Sequence, residues 1–320
     1  MFTLKNLRCE NLSECILTKE LTKKFGEVEA LRTLDLNVEG GIFGLVGPNG
    51  SGKTTLNKIL VGALKADSGE SRVFGFDCWD ESFEVRLRVG VLHEKASFPK
   101  EANGFDFMVF VGRLRGLSKT EAKTTATTLL DWIGLGNDSS REIKGYSAGM
   151  KQKLNFVQAL VGRPQLVILD EPTAHLDPFA RIQLLEKIRE LHKEYGMSFL
   201  ISSHILPELE EICDHVGIVY QGTVIEQGRL EDLARKYFAN TFEIVAADPR
   251  VLFNKIKDLT IVREARIVDN TLIVKVSDPR EFYDMMMQLT GKGFSELRIT
   301  QRTGDKLKEI YKAILNTSEE

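Results

Sequence analysis

Long apolar runs are missing from this chain: nowhere do about 18 consecutive apolar residues occur, the length a membrane-crossing helix needs. The expectation is a chain that reaches a membrane only through a partner. Cysteine is scarce. Cys9, Cys15, Cys78 and Cys213 have neither the density nor the spacing of a disulfide scaffold, and no close Cys/His pair stands beside Cys9 and Cys15 to complete a metal site. Free thiols in an intracellular protein are expected. The start, "MFTLKNLRCENLSEC", has no cationic segment followed by an apolar core, so no secretory signal is read there. Charge of one sign is not in excess either, with 43 Lys and Arg against 46 Asp and Glu and a net of −3. Such a balance draws a chain to neither nucleic acid nor anionic lipid, and no nucleic-acid partner is expected. Heptads are also absent, which removes a coiled-coil arm.

What the chain does contain is enough material for two domains: 320 residues, 42% of them hydrophobic. From about Ile16 to Ile225 short apolar runs alternate with helical patterns, the texture of an α/β domain. Its clearest strands are 41–47 "GIFGLVG", 166–170 "LVILD", 198–203 "SFLISS" and 216–222 "VGIVYQG". Leu56, Ile59, Leu60 and Ala63 share one helical face, and Met150, Leu154, Val157 and Val161 share another; both are read as core. From about residue 97 strand signals give way to helical ones, which predicts a helical subdomain over about 97–160 inside a domain of 16–228.

A second domain, 229–320, reads as strand, helix, strand, strand, helix, strand: a small α+β, ferredoxin-like unit. "VAADPRVLF" at 245–253 and "VKVSDPREFY" at 274–283 each place Asp-Pro-Arg after a strand, where Asp can cap a helix and Pro can open it. Asp269-Asn270 predicts a hairpin turn between two apolar runs. Met285, Met286 and Met287 are placed in the second helix and its core, and a closing helix is expected through Leu307, Ile310, Ile314 and Leu315. No chemical motif is visible in this domain.

The chemistry lies in the first domain. "GPNGSGKTT" supplies Gly47, Pro48, Asn49, Gly50, Ser51, Gly52, Lys53, Thr54 and Thr55, between an apolar strand and an amphipathic helix, and fits the phosphate-loop pattern in full. Its amides can converge on phosphates, Lys53 can reach the β- and γ-phosphates, and Thr54 can offer a hydroxyl to Mg²⁺. "LVILDEPT" sets Asp170 and Glu171 at the end of a buried strand, where two adjacent carboxylates cost free energy unless they have work to do. Asp170 suits a magnesium shell; Glu171 suits a water nucleophile.

"GPNGSGKTT", "YSAGMKQ", "LVILDEPTAHLDP" and "SSHI" occur in the order of an ABC-type ATPase, and the stretch from about Ile16 to Ile225 resembles that family, most of all the ATP-binding subunits of its drug-exporter branch. The resemblance implies a P-loop NTPase fold, ATP and Mg²⁺ as cofactors, and further roles. Phe25 stands where the family stacks an aromatic on adenine. Glu94 takes the glutamine-loop position and keeps an oxygen for Mg²⁺ or water. His204 matches the switch histidine at the γ-phosphate, and Asp177 the loop linking two catalytic sites. Ser147, Ala148, Gly149 and Met150 form the signature turn, which in this family closes on the ATP of another subunit. Tyr146, Ala148 and Met150 depart from "LSGGQ"; an alanine side chain at 148 is expected to limit backbone approach, deny positive φ and slow the enzyme.

The function implied is an ATP-hydrolysing subunit of an ABC transporter, an exporter, working as a homodimer or with a related ATPase subunit. A separate membrane permease would dock near "HEKASFPKEANGFDF", which places the chain on the cytoplasmic face of the cell membrane. Two rivals stand against this: a soluble, non-transport ABC ATPase, and a regulatory ATP-binding subunit with weak turnover.

Overall fold

The computed structural model describes residues 14–99, 101–238, 240–290, 297–301, 307, 308, 310–312 and 314. The chain divides into two compact units, Met1–Gly228 and Arg229–Glu320. No helix among the described residues is long and apolar enough to cross a membrane. Cys15, Cys78 and Cys213 are buried and not joined in disulfides, and burial pushes the Cys78 thiol up to about 12; Cys9 lies outside the described residues.

In chain order the first unit holds β1 (Ile16–Phe25), β2 (Val28–Val38), β3 (Ile42–Val46), α1 (Lys53–Leu60), β4 (Ser68–Val73), β5 (Phe76–Asp77), α2 (Ser82–Arg88) and β6 (Val89–Leu92). It continues through α3 (Gly104–Leu114), α4 (Lys119–Trp132), α5 (Ala148–Ala159), β7 (Leu166–Asp170), α6 (Pro178–Tyr195), β8 (Ser198–Ser203), α7 (Leu206–Ile212), β9 (His215–Tyr220) and β10 (Thr223–Arg229). Between β6 and β7 the described residues hold only helices, two short 3-10 turns and one isolated bridge, Asn103 to Glu142.

Two sheets organise this unit. One has the order β10-β9-β3-β8-β7-β6, and within it β9, β3, β8, β7 and β6 run parallel. Parallel strands covered on both faces must be apolar throughout. "IFGLV" of β3 and "LVILD" of β7 are accordingly buried at every position. The other sheet, β2-β1-β4-β5, is antiparallel, with Leu21, Leu31, Leu34 and Val73 turned into the shared core against Leu56, Ile59 and Leu60 of α1. Two details differ from the sequence reading. Ala63 is exposed because α1 ends at Leu60 and Gly62, at φ +65°, turns the chain outward. Met150 is only half-buried at the start of α5, while Leu154, Val157 and Val161 are buried as expected.

The second unit contains α8 (Leu230–Phe238), β11 (Thr241–Val245), α9 (Pro249–Ile256), β12 (Val262–Val268), β13 (Thr271–Val276), α10 (Pro279–Thr290) and β14 (Arg298–Gln301). Its sheet is antiparallel with the order β12-β13-β11-β14. The Asp-Pro-Arg repeat works twice in the same way. Asp248 accepts from the amides of Arg250 (3.0 Å) and Val251 (3.1 Å), and Asp278 from those of Arg280 (2.8 Å) and Glu281 (3.1 Å). Asp269 and Asn270 are both left-handed, at φ +46° and +63°, the pair of values a two-residue hairpin needs between β12 and β13. Phe242, Ile244, Leu252, Val274, Phe282 and Met286 fill the core. Met285 is half-buried, but Met287 is 52% exposed: three consecutive helical residues cannot all face one side. Leu307, Ile310 and Ile314 are helical and buried; Leu315 lies outside the described residues.

Candidate active site

Because β3, β8, β7 and β6 are parallel neighbours, their carboxyl ends emerge along one edge, the place where open α/β sheets receive ligands. The register keeps the ends level, pairing Val46 with Ser203, Asp170 with Ser202 and Leu92 with Leu169. Each strand then delivers one part of the site: the glycine loop after β3, His204 after β8, Asp170 and Glu171 from β7, and His93 with Glu94 after β6.

The glycine loop is shaped by its backbone. Gly50 and Gly52 have φ of +80° and +107°, values that side chains oppose, and Gly52 caps α1 without any side-chain hydrogen bond. A Cβ on Gly52 would stand 2.6 Å from the Ala30 carbonyl oxygen, and one on Gly47 would stand 2.3 Å from that of Val219, so the loop is threaded tightly between β2 and β9. Pro48 and Thr55 are half-buried, and Asn49 is exposed. Lys53 is 7% exposed and donates to the carbonyls of Gly47 (2.7 Å) and Pro48 (2.9 Å) and to Ser51 Oγ (3.4 Å). Burial lowers its pKa, and the charges of Glu171, Asp170 and Glu94 oppose that shift.

The two adjacent carboxylates have separate surroundings. Asp170 is 5% exposed and uses both oxygens: Thr54 Oγ1 donates to one at 2.9 Å and Ser202 Oγ to the other at 2.6 Å. Asn57 of α1 donates to Ser202 Oγ at 3.1 Å, so the helix behind the loop also steadies this aspartate. Glu171 turns out of the sheet at φ +52°. Its carboxylate accepts from the His204 amide (3.1 Å) and Ser203 Oγ (3.3 Å) and meets His204 Nδ1 at 2.9 Å. Its carbonyl and that of Pro172 both accept from Gln152 Nε2 of α5, at 3.1 and 2.7 Å. Such an acid, held by an imidazole at the edge of a phosphate loop, can orient or deprotonate water. Glu94 is exposed, and no hydrogen bond among the described residues joins it to Thr54 or Asp170; it reaches the site through its charge at Lys53.

The remaining sequence-derived residues stand apart. No hydrogen bond among the described residues ties the Ser147–Met150 turn, Asp177 or Phe25 to Lys53, Asp170 or Glu171. Ser147 caps α5 by accepting from the Met150 amide at 3.1 Å, and Tyr146 beside it is buried with its hydroxyl on the Asp138 carbonyl at 2.8 Å. Ala148 corrects the sequence reading: it is the first residue of α5 and is absent from the positive-φ positions, so no left-handed backbone is denied to it. Asp177 caps α6 by accepting from the Ala180 amide at 2.9 Å. Phe25 pairs with Val28 across the β1–β2 hairpin, and the two are 51% and 66% exposed.

Gln152, quoted only as the end of "YSAGMKQ", and Ser202 and Asn57 were given no role from sequence. A signal existed for the first, since Gln152, Asn155 and Gln158 recur at a spacing of three along the helix. No cluster of three or more His, Cys, Asp or Glu able to hold a metal occurs among the described residues. Mg²⁺ does not ask for one: it is usually bound by one or two carboxylates, phosphate oxygens and waters. The Thr54–Asp170 pair fits that donor set.

Comparison with known proteins agrees with this edge. Residues 31–174 match the family described as ABC transporter. The daunorubicin/doxorubicin resistance ATP-binding protein DrrA of Streptomyces peucetius is 31% identical over 309 residues, covering 94% of this chain and 92% of its own length. The bacitracin transport ATP-binding protein BcrA of Bacillus licheniformis is 34% identical over 226 residues, 70% of this chain and 73% of its own. A solved structure described as the ATP binding subunit of an ABC transporter superposes with a TM-score of 0.64 at 29% identity, over 70% of this chain and 93% of that one. A likeness that runs the length of such a relative, over a sheet edge that assembles phosphate loop, paired carboxylates and histidine, leaves one assignment: the chain belongs to the ABC transporter family, as an ATP-binding, ATP-hydrolysing subunit.

Proposed function

We propose that the chain is the ATPase of an exporter, working on the cytoplasmic face of the membrane and driving a separate membrane-spanning permease. The names of DrrA and BcrA, one a resistance protein and one a transport protein, support export of small toxic compounds. The observation that carries the ATPase reading is the Glu171–His204 contact at 2.9 Å beside Asp170 and Lys53, because it holds a carboxylate ready for water next to a phosphate site.

In this reading Phe25 and Val28 offer an apolar surface to adenine, and the amides from Gly47 to Thr55 with Lys53 hold the phosphates. Thr54 and Asp170, with Glu94, would hold Mg²⁺, which would supply positive charge against the phosphates. Glu171 orients and deprotonates the water, and His204 keeps Glu171 aimed while facing the γ-phosphate. The turn Ser147–Met150 closes on the nucleotide of a second ATPase subunit, its helix N-terminus favouring negative charge. Asp177 links the two sites. ATP thus joins the dimer and hydrolysis releases it. The permease docks along residues 93–107, where Phe98 and Phe107 meet edge to face at 5.3 Å, close in sequence to Phe110 and Leu114, 57% and 72% exposed on α3.

The test is Glu171→Gln, assayed for ATP turnover and for size in the presence of ATP. Turnover should fall by about 10²-fold or more, the scale of general base catalysis, while an ATP-bound dimer accumulates. Turnover at the parental rate would remove Glu171 from this role.

A further inference from the structure

Helix α5 presents its Ser147 end to the surface, but one turn further in it carries three primary amides on a face packed against the sheet. Gln152 and Asn155 are 6% and 2% exposed, and Gln158 is half-buried. All three direct their NH₂ groups at main-chain oxygens, those of strand β6 and of the two segments that follow β6 and β7 and bear the acids of the site. Gln158 donates to Val91 O at 2.9 Å and Asn155 to His93 O at 2.8 Å, just before Glu94. Gln152 donates to two consecutive carbonyls, Glu171 O and Pro172 O. A primary amide has two hydrogens, so this one group can satisfy both carbonyls and fix the peptide unit between them. That peptide directly follows the left-handed Glu171. Relaxation of φ toward negative values would swing the Cα–Cβ bond and carry the carboxylate away from His204.

We infer that Gln152 is a positioning residue for the hydrolytic carboxylate of its own chain. Helix α5 then serves two sites at once: its N-terminal turn faces the nucleotide of the partner, and Gln152 sets Glu171 for the nucleotide on its own phosphate loop. The inference rests on the reading of Glu171 as the hydrolytic residue and of the signature turn as acting in trans.

Gln152→Leu in the full chain removes both donors at similar volume. It should lower kcat for ATP about 10- to 100-fold, the scale for a misplaced catalytic group, with KM and ATP binding unchanged. Gln152→Lys, whose ammonium can donate to the same carbonyls, should recover most of the loss. A matching rise in KM, or no recovery with lysine despite a parental melting temperature, would overturn the proposal.

Mixed dimers of differently tagged chains separate cis from trans. When one chain carries Lys53→Ala, only the site on the other chain's phosphate loop works. Gln152→Leu should then slow turnover when placed on the chain with Lys53 intact, and do little on the Lys53→Ala chain. Ser147→Ala should behave in the opposite way. Damage confined to the Lys53→Ala chain, the pattern of Ser147→Ala, would mean that the glutamine supports the signature turn instead, and equal damage from either placement would mean a general effect on the fold; either result would overturn the proposal. Failure of the underlying reading looks different: Ser147→Ala would act on its own chain's site, or Glu171→Gln would turn over ATP at the parental rate.

Discussion

The two turns of this chain that the proposed function aims at phosphate both open helices, and they are built by opposite means. The loop before α1 has no side-chain cap and depends on glycines in left-handed backbone, packed so closely that a Cβ on Gly52 would meet the Ala30 carbonyl oxygen at 2.6 Å. The turn before α5 is an ordinary capped helix start, with Ser147 accepting from the Met150 amide and Ala148 already helical. A Cβ on Gly149 would find its nearest neighbour, Leu176 Cδ2, at 3.6 Å, an ordinary contact. The first turn is closely packed backbone and has no tolerance for a side chain; the second offers a helix dipole, amides and one hydroxyl, and has room.

Substitutions rank themselves along that contrast. Gly52→Ala should have the largest effect, costing about 3 kcal/mol or more through left-handed strain and the carbonyl clash, read as a lower melting temperature and loss of ATP binding. A protein that binds ATP normally would break the comparison. Ser147→Ala should cost about 1 kcal/mol of stability, the usual value of a helix cap, in denaturant unfolding, besides its effect on the partner's site. Ala148→Gly should cost up to about 1 kcal/mol and should not accelerate turnover, because the backbone at 148 is helical already. A several-fold gain in rate would show that the methyl group does hold the turn off the nucleotide. Gly149→Ala should change stability least, within about 1 kcal/mol and toward stabilisation, so any loss of turnover it brings reports contact with the nucleotide and not folding.

Much of this was legible in sequence, and the reason differs by region. Strands β3, β7, β8 and β9 are short, nearly continuous apolar runs because parallel strands are covered on both faces. The antiparallel sheet was not seen strand by strand. In "ILTKELTKKF" the alternation of β1 is broken by register shifts between Thr18 and Leu21 and again at Lys23, with Glu20 left-handed at φ +47°. In the site, Lys53, Thr54, Asp170, Glu171 and His204 could be named because their chemistry constrains residue type at fixed spacing. Gln152, Ser202 and Asn57 could not, because their partners come from elsewhere in the chain: Gln152 reaches a carbonyl 19 residues away, and Asn57 a hydroxyl 145 residues away. The demand for positive φ at Ala148 was misjudged for a related reason, since whether position 148 is turn or helix depends on where the Ser147 cap falls.

Glu171, the carboxylate proposed to activate water, stands on a backbone that a side chain resists, at φ +52°. Glycine there would relax the main chain and end hydrolysis in the same step. On the proposed function, the residue on which turnover depends is therefore a place where the fold would gain by losing it. A library of this gene screened for heat resistance alone should discard the glutamate early, and only a demand for work keeps it.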